Sequence, residues 1–256
     1  MTRKSGIHYL IHGGGSPTVG HPPLVLIHGA GGSRLHWPPE MRRLPGEVVY
    51  SLDLPGHGDS PGKGEDTISG YLQHLLGWLD SIGLTRVVWV GHSMGGAISL
   101  TAALTAPERT AGLVLVGTGG RLRVNPAILG TVGQPATFPQ AVDTIIAWAF
   151  SPQAPERLTR LARNRMAQTP PEVLLGDFSA CDRFDVMARL GEVAVPTLVI
   201  CGKDDKLTPA KFSRYLAENI TNASLQVIEG AGHMVMLERP EEVAKAVSGF
   251  MAARFA

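Results

Sequence analysis

The sequence predicts an α/β fold with a mostly parallel central sheet and helices on both faces. Two observations predict it. Short runs of β-branched and apolar residues alternate with segments of helical length along most of the 256 residues, which is the pattern of parallel strands joined by helices. In addition, the β-branched run at 87–90 leads directly into the small and apolar residues of 94–104, so that a buried helix follows a buried strand at once.

The remaining elements follow in chain order. The first two strands flank a turn-rich loop, Gly13-Gly14-Gly15-Ser16-Pro17, which suits an antiparallel start. The predicted strands are residues 7–11, 24–27, 48–52, 87–90, 113–116, 197–201 and 225–228. The predicted helices are residues 68–82, a helix from 94, 141–150, 155–166, a helix from 209, and 240–253.

The alternation of strands and helices lapses between residues 121 and 190. This stretch contains no convincing strand and several proline breaks, together with two helix-like runs. We therefore predict a core domain made of residues 1–120 and 191–256, interrupted by a helical cap, or lid, at 121–190.

Composition and charge exclude several classes of protein. A net charge of +1 gives no electrostatic reason for a nucleic-acid partner or an anionic membrane surface. Cys181 and Cys201 have neither metal-binding nor redox spacing, so we expect no disulfides and a reducing compartment. No apolar segment suits a signal peptide or a membrane span. We expect a cytoplasmic protein, and the oligomeric state is not readable.

The pentapeptide Gly91-His92-Ser93-Met94-Gly95 lies at the junction of strand and helix. A serine in such a sharp turn has a strained backbone, and the flanking glycines leave room for it. The turn exposes the Ser93 hydroxyl at a helix N-terminus, where developing negative charge is favoured. The pattern predicts a nucleophile. The alternatives are a chance match and a nucleotide-binding turn, which is also glycine-rich.

A serine nucleophile needs a base within hydrogen-bond reach and an acid that orients the base. In open α/β sheets the functional groups lie in loops beyond the carboxyl ends of the strands. Among the nine histidines, His233 fits this rule, since it lies in a glycine-rich loop just past the strand at 225–228. Asp204 and Asp205 both follow the strand at 197–201, and placement alone does not separate them.

Two backbone amides are needed to stabilise the oxyanion. Met94, the residue after Ser93, supplies one of them. Ala30 is the expected second donor, because glycines on both sides of it in His28-Gly29-Ala30-Gly31-Gly32-Ser33 let its peptide turn inward. The alternative for this loop is a phosphate cradle, but no lysine follows at P-loop spacing.

Taken together, these motifs resemble the α/β-hydrolase superfamily. The order Ser93, Asp205, His233, with His28-Gly29 upstream, is similar to that of the family, and the similarity covers nearly the whole chain. The resemblance implies the α/β-hydrolase fold, with 121–190 as the variable cap. It also implies that Asp205 is the acid, because it lies three residues after Gly202 and four before Pro209. Asp204 is then left to shape the loop.

The serine selects the chemistry within the family. Members that open epoxides or remove halide carry Asp at this position, whereas this chain has Ser93. The resemblance thus implies a carboxylesterase for short- to medium-chain esters, similar to the small serine esterases that include methyl esterases of carrier-protein-bound acyl chains. Ser93 would attack the ester carbonyl and form an acyl-enzyme, with His233 as the base. We expect a small-molecule ester substrate and neither a metal nor a cofactor.

The cap decides which ester fits. Its apolar residues either line an acyl pocket or form the core of the cap, and for any single residue the second role is the commoner one. The candidates are Ile128, Leu129, Val132, Phe138, Ile145, Ile146, Trp148, Phe150, Met166, Leu174 and Phe178.

Three other functions stay open. A hydrolase of carbon–carbon bonds in vinylogous diketone acids would use the same three residues but needs a cation in the pocket, for which Arg121, Arg123 and Arg183 are candidates. A cofactor-free haloperoxidase typically has an aromatic residue where this chain has Ala30. A non-catalytic ligand-binding protein would keep the fold and the pocket.

Overall fold

A computed structural model describes residues 2–13 and 20–255. Eight strands form one sheet in the described residues: β1 (Thr2–Lys4), β2 (Ile7–His12), β3 (Leu24–Ile27), β4 (Val49–Asp53), β5 (Val87–His92), β6 (Thr110–Val116), β7 (Thr197–Gly202) and β8 (Ala223–Ile228). The helices are α1 (Pro39–Arg42), α2 (Ile68–Ile82), α3 (Met94–Thr105), α4 (Pro126–Val132), α5 (Phe138–Ala149), α6 (Glu156–Met166), α7 (Pro171–Arg183), α8 (Ala210–Asn219), α9 (Val235–Glu238) and α10 (Pro240–Phe255).

The sheet is mostly parallel, as predicted. The strands lie in the order β1-β2-β4-β3-β5-β6-β7-β8, and of the neighbouring pairs within residues 2–13 and 20–255 only β1–β2 and β2–β4 are antiparallel. Alternate residues of a central strand pack into different apolar clusters: Val87 and Trp89 into one, Val88 and Val90 into the other. Both faces of the sheet are therefore covered, which buries such strands completely.

The antiparallel start of the sheet differs from the expectation. We expected β2 and β3 to pair across the turn-rich loop, but β2 pairs with β4, where Tyr9 lies opposite Leu52. β3 lies between β4 and β5, parallel to both. All four residues of β3 are buried, which suits a central strand, whereas β2 exposes Ile11. Gly14 to Pro17 of the predicted turn lie outside the described residues.

Residues 121–190, called the helical segment below, contain α4 to α7. Two of these helices were predicted, but α4 and α7 were missed because their prolines were interpreted as breaks. Pro126 and Pro171 instead lie in the first helical turn, where a missing N–H is tolerated and the fixed φ is favourable. The division of the chain into a core domain and a cap stays a prediction.

Helix α2 shows how sequence signals place these elements. The Thr67 hydroxyl accepts a hydrogen bond from Gly70 N (3.1 Å) at its start, and Gly83 ends it in the left-handed conformation with φ 74°. Trp78 and Leu79 are among its fully buried apolar residues. No helix among the described residues combines the length and apolar character that crossing a bilayer requires.

Candidate active site

Ser93 lies in a strained turn between β5 and α3. Its backbone has φ 53° and ψ −114°, and among the described residues the only other non-glycine residue with positive φ is Ser5. The flanking glycines are required by close packing. A Cβ atom on Gly91 would lie 2.1 Å from the Gly95 oxygen, and one on Gly95 would lie 2.3 Å from the Ile27 oxygen. Such strain persists only where the surroundings enforce it.

The neighbouring strand holds the turn in place. The Ser93 amide donates to Val116 O (2.9 Å), and the Thr118 hydroxyl donates to Ser93 O (2.9 Å). The Ser93 side chain is half-buried, and its hydroxyl has no hydrogen-bond partner within the described residues. In enzymes without bound substrate, the hydrogen bond between a nucleophile and its base is often long and shortens only when substrate binds. The unbonded Ser93 hydroxyl is therefore available to a base.

Asp205 and His233 form a buried pair in the loops after β7 and β8. His233 Nδ1 lies 2.9 Å from Asp205 Oδ2. The carboxylate also accepts hydrogen bonds from Leu207 N (2.9 Å), Thr208 N (2.8 Å) and the Thr208 hydroxyl (2.7 Å). Asp204, in contrast, only donates its backbone amide to Ala231 O (2.9 Å) and makes no side-chain contact to His233 among the described residues. The structure brings Asp205, and not Asp204, to the histidine.

These contacts fix the charge of Asp205. Burial would raise the pKa of its carboxyl, but His233 and the donors of Thr208 lower that pKa below the ordinary value of 3.8. An ionised Asp205 accepts the proton of His233 Nδ1, so that the lone pair stays on Nε2. In the described part of the chain Nε2 has no hydrogen-bond partner, and His233 lines the same cavity as Ser93.

The loop that carries His233 is fixed from three sides. Gly232 N donates to the buried Glu238 (2.9 Å), and Met234 N donates to Ala149 O (3.0 Å). His92 lies 3.0 Å from His233 O through its Nε2, which must donate because the carbonyl only accepts. Burial and the nearby His233 lower the pKa of His92 well below 6.5. No sequence motif predicts this role, since the contact joins residues far apart in the chain.

The two expected oxyanion donors lie next to Ser93. Ala30 lines the cavity beside it, and the buried Met94 follows it directly in the chain. Among the described residues the Ala30 amide donates to no other group. Met94 is the first residue of α3, so its amide has no acceptor in the preceding turn. Both amides are therefore free to donate to a ligand oxygen.

A cavity of about 240 Å³ opens above Ser93, and its lining is mostly apolar. Of the predicted apolar residues, the following line it: Ile128, Ile145, Ile146, Trp148, Phe150, Met166 and Phe178. Val132, Phe138 and Leu174 instead belong to the core of the helical segment, and Leu129 lies away from the cavity as well. The cavity therefore takes most of its wall from the helical segment.

The charged groups of the cavity are cations. Arg123 and Lys206 line it, both exposed, and among the described residues no acidic side chain does so. The other two candidate arginines do not belong to the cavity lining: Arg121 pairs with Asp185 (3.7 Å) and Arg183 with Asp66 (2.9 Å). Arg123 also lies 4.0 Å from Asp185, so its charge is partly compensated, and it shares the lining with Lys206.

One group of residues has metal-like geometry, but it lies away from the cavity. Among the described residues His8, Asp53 and Asp59 bring their ligand atoms within 4.8 Å of one another. The Arg34 guanidinium already bonds both carboxylates, with Arg34 Nη2 2.7 Å from Asp59 Oδ2. This cation fills the role that a metal ion would have.

The parallel sheet, the strand-to-helix turn at Ser93 and the helical segment place the chain in the class of α/β hydrolases. The model of the alpha/beta hydrolase family matches residues 24–246, so the chain belongs to that family and is a hydrolase. RutD from Stutzerimonas stutzeri, a protein named as a carbamate hydrolase, is 31% identical over 239 residues. The alignment covers 89% of this chain and 89% of RutD.

Solved structures agree with this assignment. A thermophilic esterase is 32% identical with a TM-score of 0.81, covering 96% of this chain and 98% of its own. A thermophilic esterase from Thermogutta terrifontis, solved with malate bound, is 25% identical with a TM-score of 0.87, covering 98% of this chain and 94% of its own.

Proposed function

We propose that the protein is a serine hydrolase that cleaves carboxylic esters with short to medium acyl chains. One observation carries the proposal. The strained Ser93 lines the same cavity as His233, whose Nδ1 is bonded to the buried, ionised Asp205. A nucleophile, a base and an orienting acid are the three groups that acyl transfer to water requires.

The mechanism follows from these positions. Ser93 Oγ attacks the ester carbonyl carbon while its proton passes to His233 Nε2, and the carbonyl electron pair moves onto oxygen. The amides of Ala30 and Met94 donate to this oxyanion, each contributing roughly 3–4 kcal/mol in comparable enzymes. His233 then protonates the leaving alcohol. In the second half, water gives a proton to His233 and attacks the acyl-enzyme, which releases the acid and restores Ser93.

The cavity supports the choice of acyl group. Its apolar wall favours an uncharged chain, and its volume of about 240 Å³ lies just below the range of about 300–1,000 Å³ that is usual for drug-sized ligands. Small esters fit this description better than long-chain lipids.

Replacing the nucleophile tests the proposal. Ser93→Ala should lower kcat for p-nitrophenyl butyrate by about 10⁴- to 10⁶-fold and abolish labelling by a fluorophosphonate. Ser81→Ala, a hydroxyl deletion in α2 away from the cavity, is the matched control. A Ser93→Ala enzyme that retains near wild-type turnover would refute the proposal. A wild-type protein that fails to label, but binds small ligands tightly and reversibly, would instead indicate a non-catalytic binding protein.

A second candidate is a carbon–carbon bond hydrolase for vinylogous diketone acids, and the two cations of the cavity favour it. Arg123 or Lys206 could pair with the carboxylate of such a substrate. The name of the relative RutD adds carbamates to the compounds worth testing. A panel of p-nitrophenyl esters of increasing chain length, a p-nitrophenyl carbamate and a diketone acid separates the three, because the highest kcat/KM identifies the preferred class.

A further inference from the structure

A second buried carboxylate lies near the cavity, and the mechanism above does not use it. Asp177 of α7 is 0% exposed. Its carboxylate accepts three hydrogen bonds: from Gly31 N (2.8 Å), from His57 Nε2 (2.8 Å) and from the Tyr71 hydroxyl (2.5 Å). All three donors come from outside the helical segment, so this side chain fastens α7 to three different parts of the fold.

The contacts of His57 define the charge of this cluster. Its Nδ1 lies 3.0 Å from Pro55 O and its Nε2 lies 2.8 Å from Asp177. Both neighbours only accept hydrogen bonds, so both ring nitrogens carry protons and His57 is an imidazolium. Burial would lower the pKa of His57, but the charge and hydrogen bond of Asp177 raise it above 6.5. Asp177 and His57 are therefore a buried ion pair.

Gly31 connects this ion pair to the loop 28–33, which carries the expected oxyanion donor Ala30. Its amide donates to Asp177 (2.8 Å), and its carbonyl accepts from the Thr169 hydroxyl (3.2 Å). No side chain fits at this position without strain, because φ is +61° and Leu174 would lie 2.6 Å from an added Cβ. Both polar groups of Gly31 are thus bonded by the helical segment, one residue after Ala30.

We propose that Asp177 is a positioning residue that, together with Thr169, orients the Ala30 amide toward the oxyanion by fastening Gly31. The effect on turnover rests on the proposed function, in which Ala30 is a donor. A hydrogen-bond donor contributes to catalysis only if it is aimed at the position of the developing charge. By this inference, residues of the helical segment determine the rate of the reaction as well as the choice of substrate.

Two conservative variants test the proposal. Asp177→Asn removes the charge with little change in shape, and Thr169→Val removes only the bond to Gly31 O. Glu172→Gln, which neutralises an exposed carboxylate in the same helix, is the control. The measurements are kcat/KM for p-nitrophenyl butyrate, inhibition by phenylboronic acid, inhibition by butyrate, and hydrogen exchange of the Gly31 amide. Boronate forms a tetrahedral adduct that needs the oxyanion donors, whereas butyrate reports ground-state binding.

We expect Asp177→Asn to lower kcat/KM by about 10- to 100-fold, the size of effect that misplaced groups produce. Inhibition by phenylboronic acid should weaken by a similar factor, while inhibition by butyrate should change less than about twofold. Thr169→Val should shift both quantities in the same direction by a smaller factor, and in both variants the Gly31 amide should exchange faster. Partial unfolding would weaken inhibition by phenylboronic acid and by butyrate alike. That result would overturn the positioning role.

The proposal is also overturned if both variants keep kcat/KM and boronate inhibition within twofold of wild type. Failure of the proposed function looks different, because it shows as Ser93→Ala retaining wild-type turnover. In that case hydrogen exchange of the Gly31 amide still tests whether Asp177 and Thr169 hold Gly31 in place. Unchanged exchange in both variants would overturn this part of the proposal, and faster exchange would support it.

Discussion

Two buried Asp–His pairs in the described part of the chain each share a hydrogen bond, and they are bonded differently. In the pair Asp205–His233, one ring nitrogen is bonded to the carboxylate and the other has no partner among the described residues. In the pair Asp177–His57, both ring nitrogens are bonded, one to Asp177 and one to Pro55 O. The carboxylates also differ, because Asp205 is held mainly by its own loop, whereas Asp177 joins distant parts of the chain.

This difference fits the separate roles that we propose for the two pairs. A histidine can exchange protons with a substrate only if one nitrogen is free and faces the ligand. His233 has such an unbonded nitrogen and lines the cavity, as the proposed mechanism requires, whereas both nitrogens of His57 are bonded. Burial and a carboxylate partner are common to both pairs, so these two properties alone do not identify a general base.

The largest expected effect comes from exchanging the carboxylates for amides. Asp205→Asn should lower kcat for p-nitrophenyl butyrate by about 10⁴-fold, because an amide NH₂ at this position favours the wrong tautomer of His233. Asp177→Asn should remain within the 10- to 100-fold given above. Asp204→Asn is the neighbouring control and should stay within about threefold of wild type. If Asp204→Asn proved as damaging as Asp205→Asn, the assignment of the acid would be wrong.

The second effect concerns stability. His57→Leu leaves the Asp177 charge buried without its cation, and we expect the free energy of unfolding to fall by about 3–5 kcal/mol in urea titrations. His74→Leu is the control, since His74 pairs with Glu65 at the half-exposed surface (2.8 Å) and should change stability by less than about 1 kcal/mol. Equal losses in the two variants would contradict the ion pair at His57.

The smallest effect is in the pH dependence of stability, and the two pairs should differ in sign. The folded-state pKa of His57 is raised, so its contribution to stability is complete below 6.5 and is lost as the pH rises through the folded-state pKa. The folded-state pKa of Asp205 is lowered, so its contribution is complete above 3.8 and is lost as the pH falls through the folded-state pKa.

Urea midpoints measured from pH 3 to 9 check both signs, with His57→Gln and Asp205→Asn as the variants that lack one titration each. Among the described residues, the other titratable groups that face His57 are Asp53, His28, His36 and Tyr71. Burial keeps the pKa of His28 well below 6.5, lowers the pKa of His36 to about 4 and raises the pKa of Tyr71. These last three groups therefore do not titrate between pH 6.5 and 9. A stability difference between wild type and His57→Gln that grows above pH 7 would contradict the assignment.

Local patterns predicted most of the fold. The period of apolar residues gave α2 with the bounds 68–82, and alternation of strands and helices gave the parallel sheet. Several features were not predicted, among them β1 and the short helices α1 and α9. β2 pairs with β4 rather than with β3, because strand pairing depends on burial across the whole sheet. Helices α4 and α7 were missed because a proline that begins a helix looks the same in sequence as one that ends it.

The residues of the candidate site were likewise predicted only in part. Ser93, Asp205, His233, Ala30 and Met94 were selected by motifs and by their position after strands, and the structure brings them to one region. The helpers His92, Thr208 and Asp177 were not selected. Asp177 acts on residues 106, 120 and 146 positions away, and no motif reports a contact over such distances. Only the density of histidines around residues 28–57 hinted at a second cluster.

The fastening of α7 also bears on how a substrate reaches Ser93. To swing away from the sheet, the helical segment would have to break together the hydrogen bonds that Asp177 accepts from Gly31 N, His57 Nε2 and the Tyr71 hydroxyl. With these bonds in place the cavity is still open to solvent, and its exposed lining includes the cations Arg123 and Lys206. We therefore expect the width and charge of this opening to influence how fast substrates arrive and how bulky they can be.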